Sequence, residues 1–197
     1  MSIATPTAST ALAGSKSRIA FALCGAAASL ASVYGAPGSA GLSGTLLAIV
    51  MGAIAYRDAH DFIIPDELSA AAFSLGLVAA WFGAEQDGLW AVTAALIRGA
   101  ILASAFLTLR VAYHRLRGRH GLGLGDVKLA GVAGVWLDWT MLPVAIEIAA
   151  LAALTAVLFE QLIRRQRLKR TTRLPFGLFF APAIWIGWLM QTVSPWP

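Results

Sequence analysis

Seven apolar runs, set one after another with short polar breaks, leave this chain few folds other than helices packed in a lipid bilayer. They cover about residues 19–36, 40–56, 68–84, 89–109, 124–137, 140–162 and 174–193. A spanning helix needs roughly 20 apolar residues, within about 17–25. A bilayer tolerates only backbones that satisfy their own N–H and C=O groups, and helices do so locally. With 58% hydrophobic and 13% charged residues, the chain is far from soluble domains, which carry about 25% charged. The expected fold is all-α, a polytopic membrane helix bundle of six to seven transmembrane helices. The run at 124–137 is short, and it either crosses or re-enters. Residues 1–15, mostly Ser, Thr, Ala and Gly, read as a flexible N-terminal tail. Residues 16–197 read as a single membrane-embedded domain.

Charge in the breaks sets the orientation. The break before residue 40 is uncharged, and that near 85–88 holds only Glu85 and Asp87. The opposite ends hold Lys16, Arg18 and Arg57, the cluster Arg110, Arg115, Arg117 and Arg119, and the run Arg164, Arg165, Arg167, Lys169, Arg170 and Arg173. The positive-inside rule makes those ends cytoplasmic. The net charge of +5 is thereby read as topology anchors beside anionic lipid, with no nucleic-acid partner. The single cysteine, Cys24, excludes an intrachain disulfide and a cysteine-cluster metal site. It reads as a small packed side chain in the first helix.

Against this apolar background two carboxylates stand out. Asp126 lies in Gly123-Leu124-Gly125-Asp126-Val127-Lys128, and Asp58 lies just ahead of Ile64-Pro65-Asp66. A charge within a membrane segment costs a few kcal/mol or more, which makes it a functional-site candidate by default. Two crossings separate the pair, so both reach the cytoplasmic face. If they meet, they can share a proton and activate water. Each also has a plainer reading: Asp126 as a helix cap, Asp58 as a surface charge beside Arg57. Asp61, one turn beyond Asp58, is a rival on geometry. Asp66 and Glu67 read as caps for the helix after Pro65, and His60 as an interfacial residue. Arg98 and Glu147, both within apolar runs, either pair across helices or line a polar cavity.

Three motifs in order carry a resemblance. Asp58-Ala59-His60-Asp61-Phe62-Ile63-Ile64-Pro65-Asp66 is similar to D-x6-[IL]-P-[DN]. Gly123-Leu124-Gly125-Asp126-Val127-Lys128-Leu129 is similar to GxGDxKL, and Leu174-Pro175-Phe176-Gly177 to [IL]-P-[FY]-G. Over roughly residues 40–193 the chain resembles the type IV prepilin peptidases, a branch of the GxGD membrane aspartyl proteases. The resemblance implies Asp58, rather than Asp61, and Asp126 as the catalytic pair. It gives Gly123, Gly125, Lys128, Pro65, Pro175 and Gly177 supporting places, with a helix-shaping part for Pro175 and Gly177. It also implies a prepilin or pseudopilin substrate, cut after its leader's terminal Gly at the cytoplasmic face of the inner membrane, with no metal or other cofactor.

Longer family members add a cysteine-rich cytoplasmic insert and methylate the new N-terminus. This chain lacks those cysteines, which predicts a peptidase without methyltransferase activity. Its compact size is similar to the peptidases of tight-adherence pili, its Pro65-Asp66 to the bifunctional enzymes. The alternative function is a non-proteolytic polytopic membrane protein, a proton-linked transporter or a pilus-assembly scaffold. Helix ends suggest where a shared proton would rest. Asp126 opens a helix, whose positive end favours an anion, while Asp58 closes one, with Arg57 pulling the other way. That assigns the proton mostly to Asp58.

Overall fold

The computed structural model describes residues 8–36, 38–118, 121–164 and 175–193, with the backbone alone over 8–18 and 163–164. Among the described residues the chain is helical throughout. The elements are α1 (Ala8–Gly35), α2 (Ser39–Asp61), α3 (Asp66–Gly83), α4 (Gly88–Arg117), α5 (Leu124–Trp136), α6 (Met141–Arg164) and α7 (Phe176–Val193). Each apolar run becomes one helix, and the chain is a polytopic helical membrane protein. Four helices, α2, α4, α6 and α7, are long and apolar enough to cross a bilayer by themselves. α1 begins at Ala8, inside the segment expected as tail, and residues 1–7 lie outside the described residues. So do Leu174, Arg119 and the basic run from Arg165 to Arg173.

α5 is the centre of the bundle. Its 13 residues rise only ~20 Å at 1.5 Å each, short of the ~30 Å hydrocarbon core. Every residue from Leu129 to Trp136 is buried, because α3, α4 and α7 all pack on it. Small residues permit that packing, since lipid gives no hydrophobic drive between helices and close backbone approach must hold them. At the α4–α5 crossing, a Cβ on Gly134 would stand 2.6 Å from the Gly99 backbone. At the α2–α7 crossing, Gly44 makes room for the Trp188 ring, which a Cβ there would meet at 1.9 Å. Leu47, Met51, Ile54, Leu129, Val132, Phe180 and Ile184 fill the space between.

Two expectations change here. Arg98 does not pair with Glu147. Its Nε donates to the Gly134 carbonyl (3.2 Å), and a guanidinium nitrogen lies 3.8 Å from Asp138 Oδ1, while Glu147 sits exposed on α6. The reason is local. The last carbonyls of α5 lack intrahelical donors, and Arg98 supplies one, as Gln191 Nε2 does for the Trp136 carbonyl (2.8 Å). Cys24 is exposed rather than packed, because it lines an open groove that α1 forms with α2 and α7.

Candidate active site

Asp58 lies in the last turn of α2, on the stripe that also buries Leu47, Met51, Ile54 and Ala55. Helical spacing carries this apolar face straight into the carboxylate, and Asp58 is only 6% exposed. α2 then stops at Phe62, a left-handed residue (φ 53°) whose N–H returns to the Asp58 carbonyl (3.1 Å). This reversal turns Ile64 inward, and Pro65 caps the start of α3.

Asp126 is the third residue of α5 and is 9% exposed. Its Oδ2 accepts from the Gly123 N–H at 2.9 Å, as an acidic residue reaches back to the N-cap in a capping box. The cap position itself belongs to Gly123, so Asp126 caps from inside the helix. Asp58 has a matching arrangement from elsewhere in the chain. Its Oδ2 accepts from the Leu178 N–H at 2.9 Å, in the first turn of α7, with the Gly177 N–H also acting on the carboxylate. The two carboxyl groups are close enough to interact electrostatically, and the Arg110 charge acts on Asp126 as well.

Ile64 ties the three motifs together. A Cβ added at Gly125 would come within 2.9 Å of Ile64 Cβ, and one at Gly177 within 2.8 Å of Ile64 Cδ1. Both glycines therefore exist as bare backbone against one side chain. That close approach brings the first turns of α5 and α7 onto the turn that follows α2. Pro175 lies immediately ahead of α7, suited to a helix start by its fixed φ.

Asp61 is not brought to the pair. It is exposed and bonded to Arg57 Nη1 at 2.9 Å, so Arg57 serves Asp61 rather than Asp58. Lys128 pairs with Asp66 across α5 and α3. Asp66 accordingly opens α3 without a side-chain capping bond at Pro65. His60 Nδ1 meets the Tyr56 carbonyl (2.9 Å), and its ring stacks on Tyr56. Among the described residues, no group of three His, Cys, Asp or Glu is placed to hold a metal ion.

In this geometry helix ends do not assign the shared proton. Neighbours in sequence give Asp126 a helix N-terminus and Asp58 none. The Leu178 and Gly177 N–H groups give Asp58 the start of α7, so helix ends no longer separate the two carboxyls. Arg110 was read only as a topology anchor. Its Nη1 donates to the Leu122 carbonyl at 2.7 Å, which pins the turn leading into Gly123. The one hint in the sequence was its distance from Arg115 and Arg117, deeper along the same helix.

Comparison with known proteins places these motifs in context. The sequence model of the Type IV leader peptidase family matches residues 45–158, from within α2 to within α6. A prepilin leader peptidase/N-methyltransferase of Stutzerimonas stutzeri is 30% identical over 155 residues, covering 75% of this chain and 50% of that protein. One of the same name from Pseudomonas aeruginosa is 31% identical over 149 residues, covering 75% and 49%. Leader peptidase HopD of Escherichia coli is 39% identical over 105 residues, covering 52% and 61%. The chain thus spans about half the length of the longer curated relatives it matches. No solved structure matches it.

Proposed function

Since the chain belongs to the type IV leader peptidase family, we propose that it is a membrane aspartyl endopeptidase that removes the leader of a type IV prepilin or pseudopilin. In this reading Asp58 and Asp126 are the catalytic pair, set at the cytoplasmic face of the inner membrane. The cut follows the terminal Gly of a short basic leader, where an already inserted apolar helix begins. The observation that carries the reading is the convergence of two buried carboxylates from separate motifs, each with one oxygen held by a backbone N–H at a helix start.

Such a pair performs peptide hydrolysis with one proton between two carboxyls, because like charges about 3 Å apart cannot both ionise comfortably. The ionised carboxyl takes a proton from water as the water oxygen attacks the scissile carbonyl carbon. The protonated one gives its proton to the carbonyl oxygen, forming a tetrahedral diol. Collapse of that diol breaks the C–N bond, a proton passes to the leaving amine, and the pair regains its single proton. The backbone donors fix one oxygen of each carboxyl and so orient both groups for this exchange. Electrostatic range to Arg110 limits the repulsion between them.

The test is direct. Purified protein in lipid nanodiscs is incubated with a prepilin bearing a basic, Gly-ending leader, and the product is weighed by mass spectrometry. The reading expects two fragments separated after that Gly. A transporter or an assembly scaffold leaves the prepilin whole.

A further inference from the structure

An apolar groove of about 340 Å³ lies between α1, α2 and α7, with Phe21, Cys24, Met51, Leu178, Pro182 and Trp185 in its walls. On α2 its wall runs from Ala48 to Ala55, about 10 Å at 1.5 Å per residue. The next residue along that stripe is Asp58. On α7 the groove includes Leu178, the residue whose N–H donates to Asp58 Oδ2 at 2.9 Å. Groove and carboxylate therefore meet at a shared residue.

Pro182 gives the groove a backbone acceptor. In a helix the N–H of residue 182 would bond the carbonyl of residue 178. Pro182 lies inside α7 and has no N–H, so the helix ladder leaves the Leu178 carbonyl without that donor. In an apolar setting a carbonyl without a donor is costly, and a ligand that brings an N–H is favoured there. A lipid acyl chain brings none. The start of a peptide helix brings up to four, because its first N–H groups have no intrahelical partner.

Resting on the peptidase reading above, we propose that this groove seats the first two turns of the substrate's apolar helix, just beyond the scissile bond, and that the Leu178 carbonyl accepts a backbone N–H from the start of that helix. The Leu178 residue then faces both ways: its N–H holds Asp58 and its C=O holds the substrate. The scissile bond is placed beside the carboxylates by the same turn of α7 that orients one of them. The groove's length matches about two turns of helix, which sets how much of the substrate it reads.

Two variants and one cross-link test this in the full-length protein. Pro182→Ala returns an N–H to the Leu178 carbonyl. It should melt no lower than wild type, since Pro is the least favourable residue in a helix interior, yet kcat/KM for the prepilin should fall about two- to tenfold, as expected for one lost hydrogen bond. Gly52→Leu fills the groove, and a Cβ at Gly52 meets nothing within 4 Å, so this variant should fold and raise KM. For the cross-link, the chain's own Cys24 is the reporter. With Asp126→Asn to stop turnover, a prepilin carrying one cysteine within two turns after the scissile Gly should form a disulfide with Cys24 on mild oxidation. A cysteine at the far end of its apolar helix should not, and Cys24→Ala should abolish the product.

If wild type cuts the prepilin while both variants keep its kcat/KM and no cross-link forms, the groove proposal is overturned and the groove holds lipid. Cross-linking without any cleavage by wild type would support the groove and sink the peptidase reading. Neither cross-link nor cleavage would remove both.

Discussion

Replacing Gly177 with Ala should disable the candidate site while leaving the bundle folded. The added Cβ would stand 2.9 Å from Asp58 Oδ2, 3.1 Å from its Cγ and 2.8 Å from Ile64 Cδ1. Comfortable separations are about 3.5–4.0 Å, so each neighbour must yield by about half an ångström or more. Ile64 Cδ1 is the end of a flexible side chain and can swing. The carboxylate cannot move without straining its 2.9 Å bond from the Leu178 N–H. Overpacking of this kind costs about 1–3 kcal/mol, and a hydrogen bond to a charged group contributes about 1.5–3 kcal/mol. If the displacement falls on Asp58, kcat should drop about 10- to 100-fold at one decade per ~1.4 kcal/mol. The assay is prepilin cleavage in nanodiscs beside a melting curve of the same preparation. Gly83→Ala is the control, because a Cβ there meets nothing within 4 Å, and it should keep full activity. A folded Gly177→Ala protein with activity within twofold of wild type would refute the claim that Asp58 is held in one position by the start of α7.

Other consequences follow from the same geometry. Arg110→Gln should slow cleavage about tenfold by freeing the Leu122 carbonyl and removing a charge beside Asp126, and Arg110→Lys should recover part of that loss in the same assay. Gly134→Ala should lower the melting temperature and the yield of folded protein, because its Cβ would meet the Gly99 backbone at 2.6 Å and overpacking costs about 1–3 kcal/mol. Incubation with a prepilin and S-adenosylmethionine should give a processed but unmethylated N-terminus; a mature pilin one methyl group heavier, made by this chain alone, would contradict that.

Much of the fold was legible because bilayer physics writes it plainly: each apolar run became a helix, from α1 to α7. The central place of α5 was not, since its run is as apolar as the others and only shorter. Its burial depends on Gly99 and Gly134 meeting across two helices, a contact between residues with no side chain to signal it. The partner of Arg98 was hidden for a related reason. Its main partner is the Gly134 carbonyl, and a backbone acceptor leaves no mark in the sequence. The convergence of Asp58 and Asp126 could be anticipated from span counting and motif order, and the stripe Leu47, Met51, Ile54, Asp58 sets Asp58 on the buried face. Asp61 continues that stripe one turn further, where α2 ends; there it is exposed and taken by Arg57. What local reasoning missed at Asp58 was the Leu178 donor, 120 residues away along the chain. Neighbours in sequence carry no sign of that donor.

The most direct test of the account compares three single carboxylate variants in one cleavage assay. Asp58→Asn and Asp126→Asn each remove half of a shared-proton pair and should reduce leader cleavage to background, with unchanged membrane insertion and melting. Asp61→Asn breaks only an exposed ion pair with Arg57, a contact that contributes about 0–1 kcal/mol, and should retain substantial activity. A dead Asp61→Asn beside an active Asp58→Asn or Asp126→Asn would contradict the assignment at its root.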